Sequence, residues 1–298
     1  MSKIIWKRYS IFSHIHTTKI KIAIAKIIYR LIAPFLKSTK MEITRHGIRY
    51  QVDLTEGIDL SLFIFGSFQK YILQNKLFSL PKNAIVFDVG ANFGTMTLQL
   101  AKSASSGRIY AFEPTNYAFK RLKANVKLNP DLKSRINLIQ AFVSGKTEKN
   151  PKIKAFSSWK VDGMKANETH PIHLGISKAA KKIGAIRLDD FCRREGITRL
   201  DFIKIDTDGH EHEVLKGAEK IISEYKPTII FEVGDYILKE KNIDFLYFLD
   251  YFEKHNYLLF DTKSELKITR QNYHVFIPKY STIDVAALPR KQRPHKLI

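Results

Sequence analysis

Residues 84–94 read Ala-Ile-Val-Phe-Asp-Val-Gly-Ala-Asn-Phe-Gly. The apolar run 84–87 has the composition of a buried strand. It ends in an acid, Asp88, and passes through Gly90-Ala91-Asn92-Phe93-Gly94 into a helical pattern over 95–102. In a strand–loop–helix unit, small residues let a ligand approach the backbone, and the helix start supplies unpaired N–H groups. The loop is Gly-x-x-x-Gly rather than Gly-x-Gly-x-x-Gly, and a carboxylate stands at its entrance. That carboxylate would repel a pyrophosphate and suits a cationic, amine-bearing ligand. S-adenosylmethionine, with its sulfonium and ammonium groups, answers that description. An ordinary strand-to-helix turn is the competing account of this stretch taken alone.

The alternation continues down the chain. Strand 108–112 ends in Glu113-Pro114, helix 116–128 stops at Asn129-Pro130, and strand 136–142 leads into Ser144-Gly145. Strand 201–205 ends at Asp206, helix 210–223 follows, and strand 228–233 carries Glu232. Helix 244–255 and strands 257–260 and 273–277 complete the pattern. This spacing predicts an α/β fold: a mostly parallel sheet with an antiparallel edge strand and helices on both faces. Residues 41–53 alternate around His46-Gly47 as a hairpin, and 58–78 read as an amphipathic helix or helix pair. Residues 145–182, with Trp159, His170 and His173, are too long for a neutral connector and form a candidate substrate loop. The implied organisation is a basic helical extension (1–40), a hairpin with cap helices (41–80), a main domain (81–280) and a basic tail (281–298).

The 298 residues allow one large domain with an appendage. One cysteine, Cys192, excludes an internal disulfide framework and a multi-cysteine metal site. The net charge of +21 implies attraction to an anionic partner: nucleic acid, membrane surface or acidic glycan. No Asp or Glu precedes Glu42, whereas Lys3, Lys7, Arg8, Lys19, Lys21, Lys26, Arg30, Lys37 and Lys40 all do. Over residues 19–37, Ile20, Ile24, Ile27, Ile28, Leu31, Ile32 and Phe35 fall within an arc of roughly 140° on a helix. Lysines interrupt the run too often for a spanning helix, and no cleavage pattern marks a secretory signal. Two readings stand: a helix that packs its isoleucines on the main domain, or one that lies in an anionic membrane interface. A cytoplasmic protein is expected, and the second reading would make it peripheral on the inner membrane face.

In such sheets ligands bind beyond the carboxyl ends of the strands, where Asp88, Glu113, Asp206 and Glu232 all stand. Glu113 is placed to accept ribose hydroxyls, with a helix-capping role as its bland alternative, and the turn around Val143-Ser144 borders an adenine ring. Lys204 and Asp206 share one side of an otherwise apolar strand, and buried charges are costly unless paired or used.

Asp88-Val-Gly-Ala-Asn-x-Gly, Glu113-Pro, Leu188-Asp-Asp-Phe and Lys204-Ile-Asp-x-x-Gly-x-Glu-x-x-Val-Leu-Lys-Gly together resemble the FkbM family of S-adenosylmethionine-dependent methyltransferases, over roughly residues 42–260. The resemblance implies a Rossmann-like class I methyltransferase fold and O-methylation of a hydroxyl on a sugar, glycolipid or related metabolite. It implies that Asp88, Gly90, Asn92, Gly94 and Glu113 hold the cofactor and that Asp206 and Glu211 lie near the transfer site. The chain departs from the family at His210, where alanine is common, and at Phe68-Gln69, where Tyr-Glu is common.

A sugar hydroxyl needs help to lose its proton. Asp206 is the first candidate, as base or as metal ligand, with His210 or His212 in reserve; Asp206 and Glu232 could together take Mg²⁺ through oxygen. Two rival classes stand beside this one. The charge suggests an RNA ribose methyltransferase, although no Asn/Asp-Pro-Pro-Tyr/Phe sequence or recognisable nucleic-acid module is present. A catalytically silent, membrane-associated protein of the same fold is the other. Neither acceptor nor oligomeric state is written in the sequence.

Overall fold

The computed structural model describes residues 17–149, 151, 155–157, 160, 176–178 and 183–290. Its strands are β1 (Lys40–Arg45), β2 (Ile48–Asp53), β3 (Ile85–Val89), β4 (Arg108–Phe112), β5 (Ile136–Ile139), β6 (Phe142–Val143), β7 (Ala155–Ser157), β8 (Ile176–Lys178), β9 (Ala185–Ile186), β10 (Phe202–Ile205), β11 (Thr228–Val233), β12 (Tyr257–Asp261), β13 (Lys267–Ile268) and β14 (Ile283–Pro289). Eight of them form the central sheet, ordered β13-β12-β14-β11-β10-β3-β4-β5. Strands β11, β10, β3, β4 and β5 are parallel, while β14 runs antiparallel between β11 and β12. Chain order reverses between β3 and β10: β4 and β5 are added on one side, β10 and β11 on the other. Such a reversal opens a crevice at the carboxyl ends of the strands. This is the Rossmann-like methyltransferase arrangement.

Strand alternation divides the core into two layers. Phe87, Val89, Ile203, Ile205 and Phe231 face one side, where Phe231 stacks on Phe248 and Phe252 at 5.1 and 5.2 Å. Val86, Phe202, Ile230 and Ala286 face the other, beneath Leu98, Leu122 and the hairpin residues Tyr50 and Val52. Asp88 and Lys204 are in register across β3 and β10 and share this second face. The β1–β2 hairpin turns through His46 (φ 51°) and Gly47 (φ 71°), the left-handed pair that a two-residue turn requires.

Several elements differ from the sequence expectation. Residues 273–277, β-like in composition, form helix Tyr273–Phe276, because Asn272 Oδ1 accepts from Thr269 N at 2.7 Å and closes a turn there. The antiparallel strand is instead β14, buried within the sheet, so the expected basic tail 281–298 begins with a core strand. The edge strand beyond β12 is the two-residue β13. The expected strand 136–142 breaks into β5 and β6, and helix 210–223 divides into Glu211–Gly217 and Glu219–Tyr225. Trp159, His170 and His173 lie outside the described residues, as do 291–298. Among the described residues no helix is long and apolar enough to cross a membrane.

Asn125, fully buried, ties three pieces together. Its Oδ1 accepts from Gln51 N on β2 (2.7 Å) and its Nδ2 donates to Phe93 O in the glycine loop (2.8 Å), while its own carbonyl accepts from Asn129 Nδ2 at 2.8 Å. Asn125→Leu leaves a buried N–H and a buried C=O unpaired, each worth about 1–3 kcal/mol. A fall in unfolding free energy of about 2–4 kcal/mol is expected in urea titration; a change within about 0.5 kcal/mol would remove the proposed tie.

Candidate functional site

The glycine loop is held from below and from the side. Gly90 N and Ala91 N both donate to Phe112 O at 2.9 Å. Gly90 has φ +86°, and a Cβ there would sit 1.8 Å from the Asp206 carbonyl oxygen, so glycine is required for β3 and β10 to approach. Asn92 adopts the left-handed conformation (φ 51°) and its N–H donates to Glu113 Oε2 at 3.0 Å. Glu113 Oε1 accepts from Thr115 N (2.8 Å) and Thr115 Oγ1 (2.6 Å), and Thr115 Oγ1 in turn caps helix Asn116–Lys127 by accepting from Ala118 N at 3.2 Å. Glu113 is therefore fixed between the loop and the end of β4. Burial raises its carboxyl pKa against these hydrogen bonds.

The charged residues of β10 occupy the centre. Lys204, 2% exposed, donates through Nζ to Asp206 Oδ2 at 2.7 Å and faces Asp88 across the sheet. The surrounding carboxylates hold its ammonium charged, above the usual lysine range. Asp88 is completely buried; Oδ2 accepts from Thr97 Oγ1 at 2.6 Å, while Oδ1 has no hydrogen-bond partner. Burial raises Asp88. Asp206 moves the other way: although its site is desolvated, the Lys204 ammonium and hydrogen bonds from Glu232 and Gln69 hold it below the carboxylate range. Glu232 is raised well above that range by burial and by the Asp206 charge, and it accepts from Thr282 Oγ1 at 2.5 Å.

Three contributors were missed or underrated in the sequence. Gln69 Nε2 reaches Asp206 Oδ2 at 3.5 Å, which places the Tyr-Glu departure directly over this group. Asp284, from β14, is paired with Glu232 in register and accepts from the Tyr71 hydroxyl. Only the recognition of β14 would have exposed it. Asp208, in left-handed backbone (φ 52°), faces Asp206, Glu211 and Glu113, and burial plus their repulsion raise it well above the carboxylate range.

Glu211, 4% exposed, accepts through Oε1 from Thr207 N, Thr207 Oγ1 and Gly209 N at 2.9, 3.0 and 3.2 Å, closing the turn that carries Asp208. His210 Nε2 meets Lys241 Nζ at 3.3 Å, and His212 lies 3.3 Å from Glu213 and edge-on to Tyr247. Ser144 is set beside Gly217, whose Cβ would lie 2.2 Å from the Ser144 carbonyl, and so flanks helix Glu211–Gly217. A cleft of about 760 Å³, lined by Lys76, Arg199, Asp201 and Lys226, opens at the opposite edge of the sheet and holds none of these carboxylates.

The site thus gathers Asp88, Glu113, Asp206, Asp208, Glu211, Glu232 and Asp284 around one buried lysine. Oxygens of Asp88, Asp284 and Gln69 are buried without partners. This fits a ligand that brings positive charge and hydrogen-bond donors, as S-adenosylmethionine does. It does not fit the Mg²⁺ expected on Asp206 and Glu232. Asp206 is already paired with an ammonium, burial and the Asp206 charge disfavour a second carboxylate at Glu232, and among the described residues no group of three or more His, Cys, Asp or Glu could hold a metal ion.

Residues 88–259 match the family model described as "Methyltransferase FkbM domain". The methyltransferase sdnD of Sordaria araneosa is 23% identical over 232 residues, covering 64% of this chain and 89% of sdnD. The hexuronic acid methyltransferase AglP of Haloferax volcanii is 24% identical over 189 residues, covering 63% of this chain and 72% of AglP. Among solved structures, the FkbM methyltransferase of Methylobacillus flagellatus KT superposes with a TM-score of 0.46 at 19% identity, covering 71% of this chain and 45% of that one.

Lys204→Met tests the electrostatic centre. Leaving the carboxylates uncompensated is expected to cost about 3–5 kcal/mol. The contribution of Asp206 to the pH dependence should also change sign. In the parent, depressed Asp206 contributes stability above its unfolded pKa and loses it as pH falls. Without the ammonium, Asp206 is raised and Asp88, already raised by burial, is raised further, and such groups favour the fold below their unfolded pKa and lose that contribution as pH rises. Chemical denaturation should find the variant relatively stronger at about pH 5 than at about pH 8; an unchanged pH profile would contradict the pairing.

Proposed function

The chain belongs to the FkbM family of S-adenosylmethionine-dependent methyltransferases, and from that premise we propose that it methylates a hydroxyl of a sugar-containing acceptor. The observation that carries this reading is the acidic, lysine-centred edge of β3 and β10, which draws a sulfonium donor to the place where Asp206 and Asp208 meet an acceptor. The similarity to a hexuronic acid methyltransferase supports a saccharide, free or carried on a lipid.

In this reading Asp88, Gly90, Asn92, Gly94 and Glu113 hold the donor, and Ser144 borders the adenine. Bound there, S-adenosylmethionine supplies a methyl carbon made electrophilic by its sulfonium. Glu113, already fixed by Asn92 and Thr115, accepts the ribose hydroxyls. Asp206 is kept ionised by Lys204 and is therefore a weak proton acceptor; it receives a hydrogen bond from the acceptor hydroxyl and aligns it. Asp208, raised by its neighbours, is the stronger acceptor and takes the proton. Glu211 positions Asp208 by holding the turn, and His210 and His212 stand at the rim. Alignment of the displacement supplies much of the rate, and the base about 10²–10⁴.

Incubation with a labelled methyl donor, hexuronate-containing glycans, nucleotide sugars and RNA tests the acceptor class: label in saccharide is expected, and label in RNA alone would transfer the reading to ribose methylation. Asp206→Asn should lower turnover while donor binding stays measurable. Asp208→Asn should lower kcat by about 10²–10⁴. Because Asp208 must be ionised to act and titrates above the carboxylate range, kcat/KM should fall as pH drops through that raised pKa. The variant should lose this acid limb; a limb unchanged in Asp208→Asn would place the base elsewhere.

A further inference from the structure

We propose that the outer face of helix Thr17–Ile32, continued through Phe35, docks the protein on an anionic lipid surface. The helix carries two apolar stripes where one was expected. Ala25, Tyr29, Ile32 and Leu36 pack inward against the second core layer. Ile24, Ile27, Leu31 and Phe35 face outward, exposed by 50, 57, 67 and 86%. Phe65, 68% exposed, ends the neighbouring helix Gly57–Phe65, which packs against this one and extends the same side. Among the described residues six large hydrophobics are exposed, and these are five of them. Such concentration marks a contact surface, since exposed apolar residues are otherwise scattered.

The flank of the ridge chooses the occupant. At 100° per residue, Ile24, Ile27, Leu31 and Phe35 span roughly 80°, and Lys26 and Arg30 lie about 100–140° from its centre. The domain occupies the other flank. With the ridge downward, the basic flank can reach headgroups while the isoleucines enter the acyl boundary. The nine basic and no acidic residues before Glu42 supply charge of one sign only. A second copy would bring two basic flanks together, and RNA would leave the isoleucines bare. An anionic bilayer satisfies both halves of the surface. Among the described residues the helix spans Thr17–Ile32, about 24 Å against a hydrocarbon core of about 30 Å, and no helix is long and apolar enough to cross a membrane, so the proposal lays it in the interface.

Flotation of the full chain with vesicles tests this. Vesicles of phosphatidylcholine containing about one third phosphatidylglycerol should carry the protein, those of phosphatidylcholine alone should carry much less, and salt should release it. Ile27→Glu with Leu31→Glu, both at exposed positions, should reduce the bound fraction at least about tenfold while binding of S-adenosylmethionine is unchanged. Arg30→Glu with Lys37→Glu should abolish the preference for anionic vesicles. The proposal is overturned if the first variant floats like the parent, if the parent floats equally with neutral vesicles, or if the parent stays in solution as a dimer that Ile27→Glu/Leu31→Glu splits.

Discussion

A single buried ammonium sets the terms of this structure. Lys204 stands in register with Asp88 and bonded to Asp206, where chain order reverses between β3 and β10. A lysine in that row would be costly among apolar neighbours, and the row of carboxylates would be costlier without it. Each charge makes the others tolerable. What remains is a cluster of carboxyl groups with several acceptor oxygens unpartnered, in a chain whose net charge is +21. The field of the carboxyl groups lining the crevice thus differs from that of the basic exterior.

Two glutamates turn this field into a shaped site. Glu113 joins the glycine loop to the cap of the following helix, and Glu211 closes the turn after β10. Asn92 and Asp208, both in left-handed backbone, are the residues whose conformations those carboxylates stabilise. Glu211 thus holds the turn that carries Asp208. Gln69 arrives from outside the sheet and connects the segment after Phe65 to Asp206, so the exposed ridge and the site are four residues apart along one short stretch.

Much of this was legible in the chain because it follows from local rules. The Asp88–Gly94 loop, the Glu113-Pro114 strand end and the Lys204/Asp206 spacing each announce themselves through residue type and period. What escaped depends on partners distant in sequence. β14 carries Asp284, two alanines and Pro289, all weak in β propensity; it is a strand because β11 and β12 flank it on both sides, and with it went Asp284. Residues 273–277 made the opposite error, strand-like in composition but turned by Asn272. The apolar arc of the first helix was visible, but not its division into a docked stripe and a bare one, since that depends on the surface it meets.

The central claim is that the crevice between β3 and β10 takes a sulfonium donor through its acidic lining. Calorimetric titration of the full chain with S-adenosylmethionine, beside Asp88→Asn and Glu113→Gln, tests it most directly. The account predicts saturable one-site binding in the parent and affinity at least about tenfold weaker in each variant. Undiminished binding in both variants, or none in the folded parent, would contradict it.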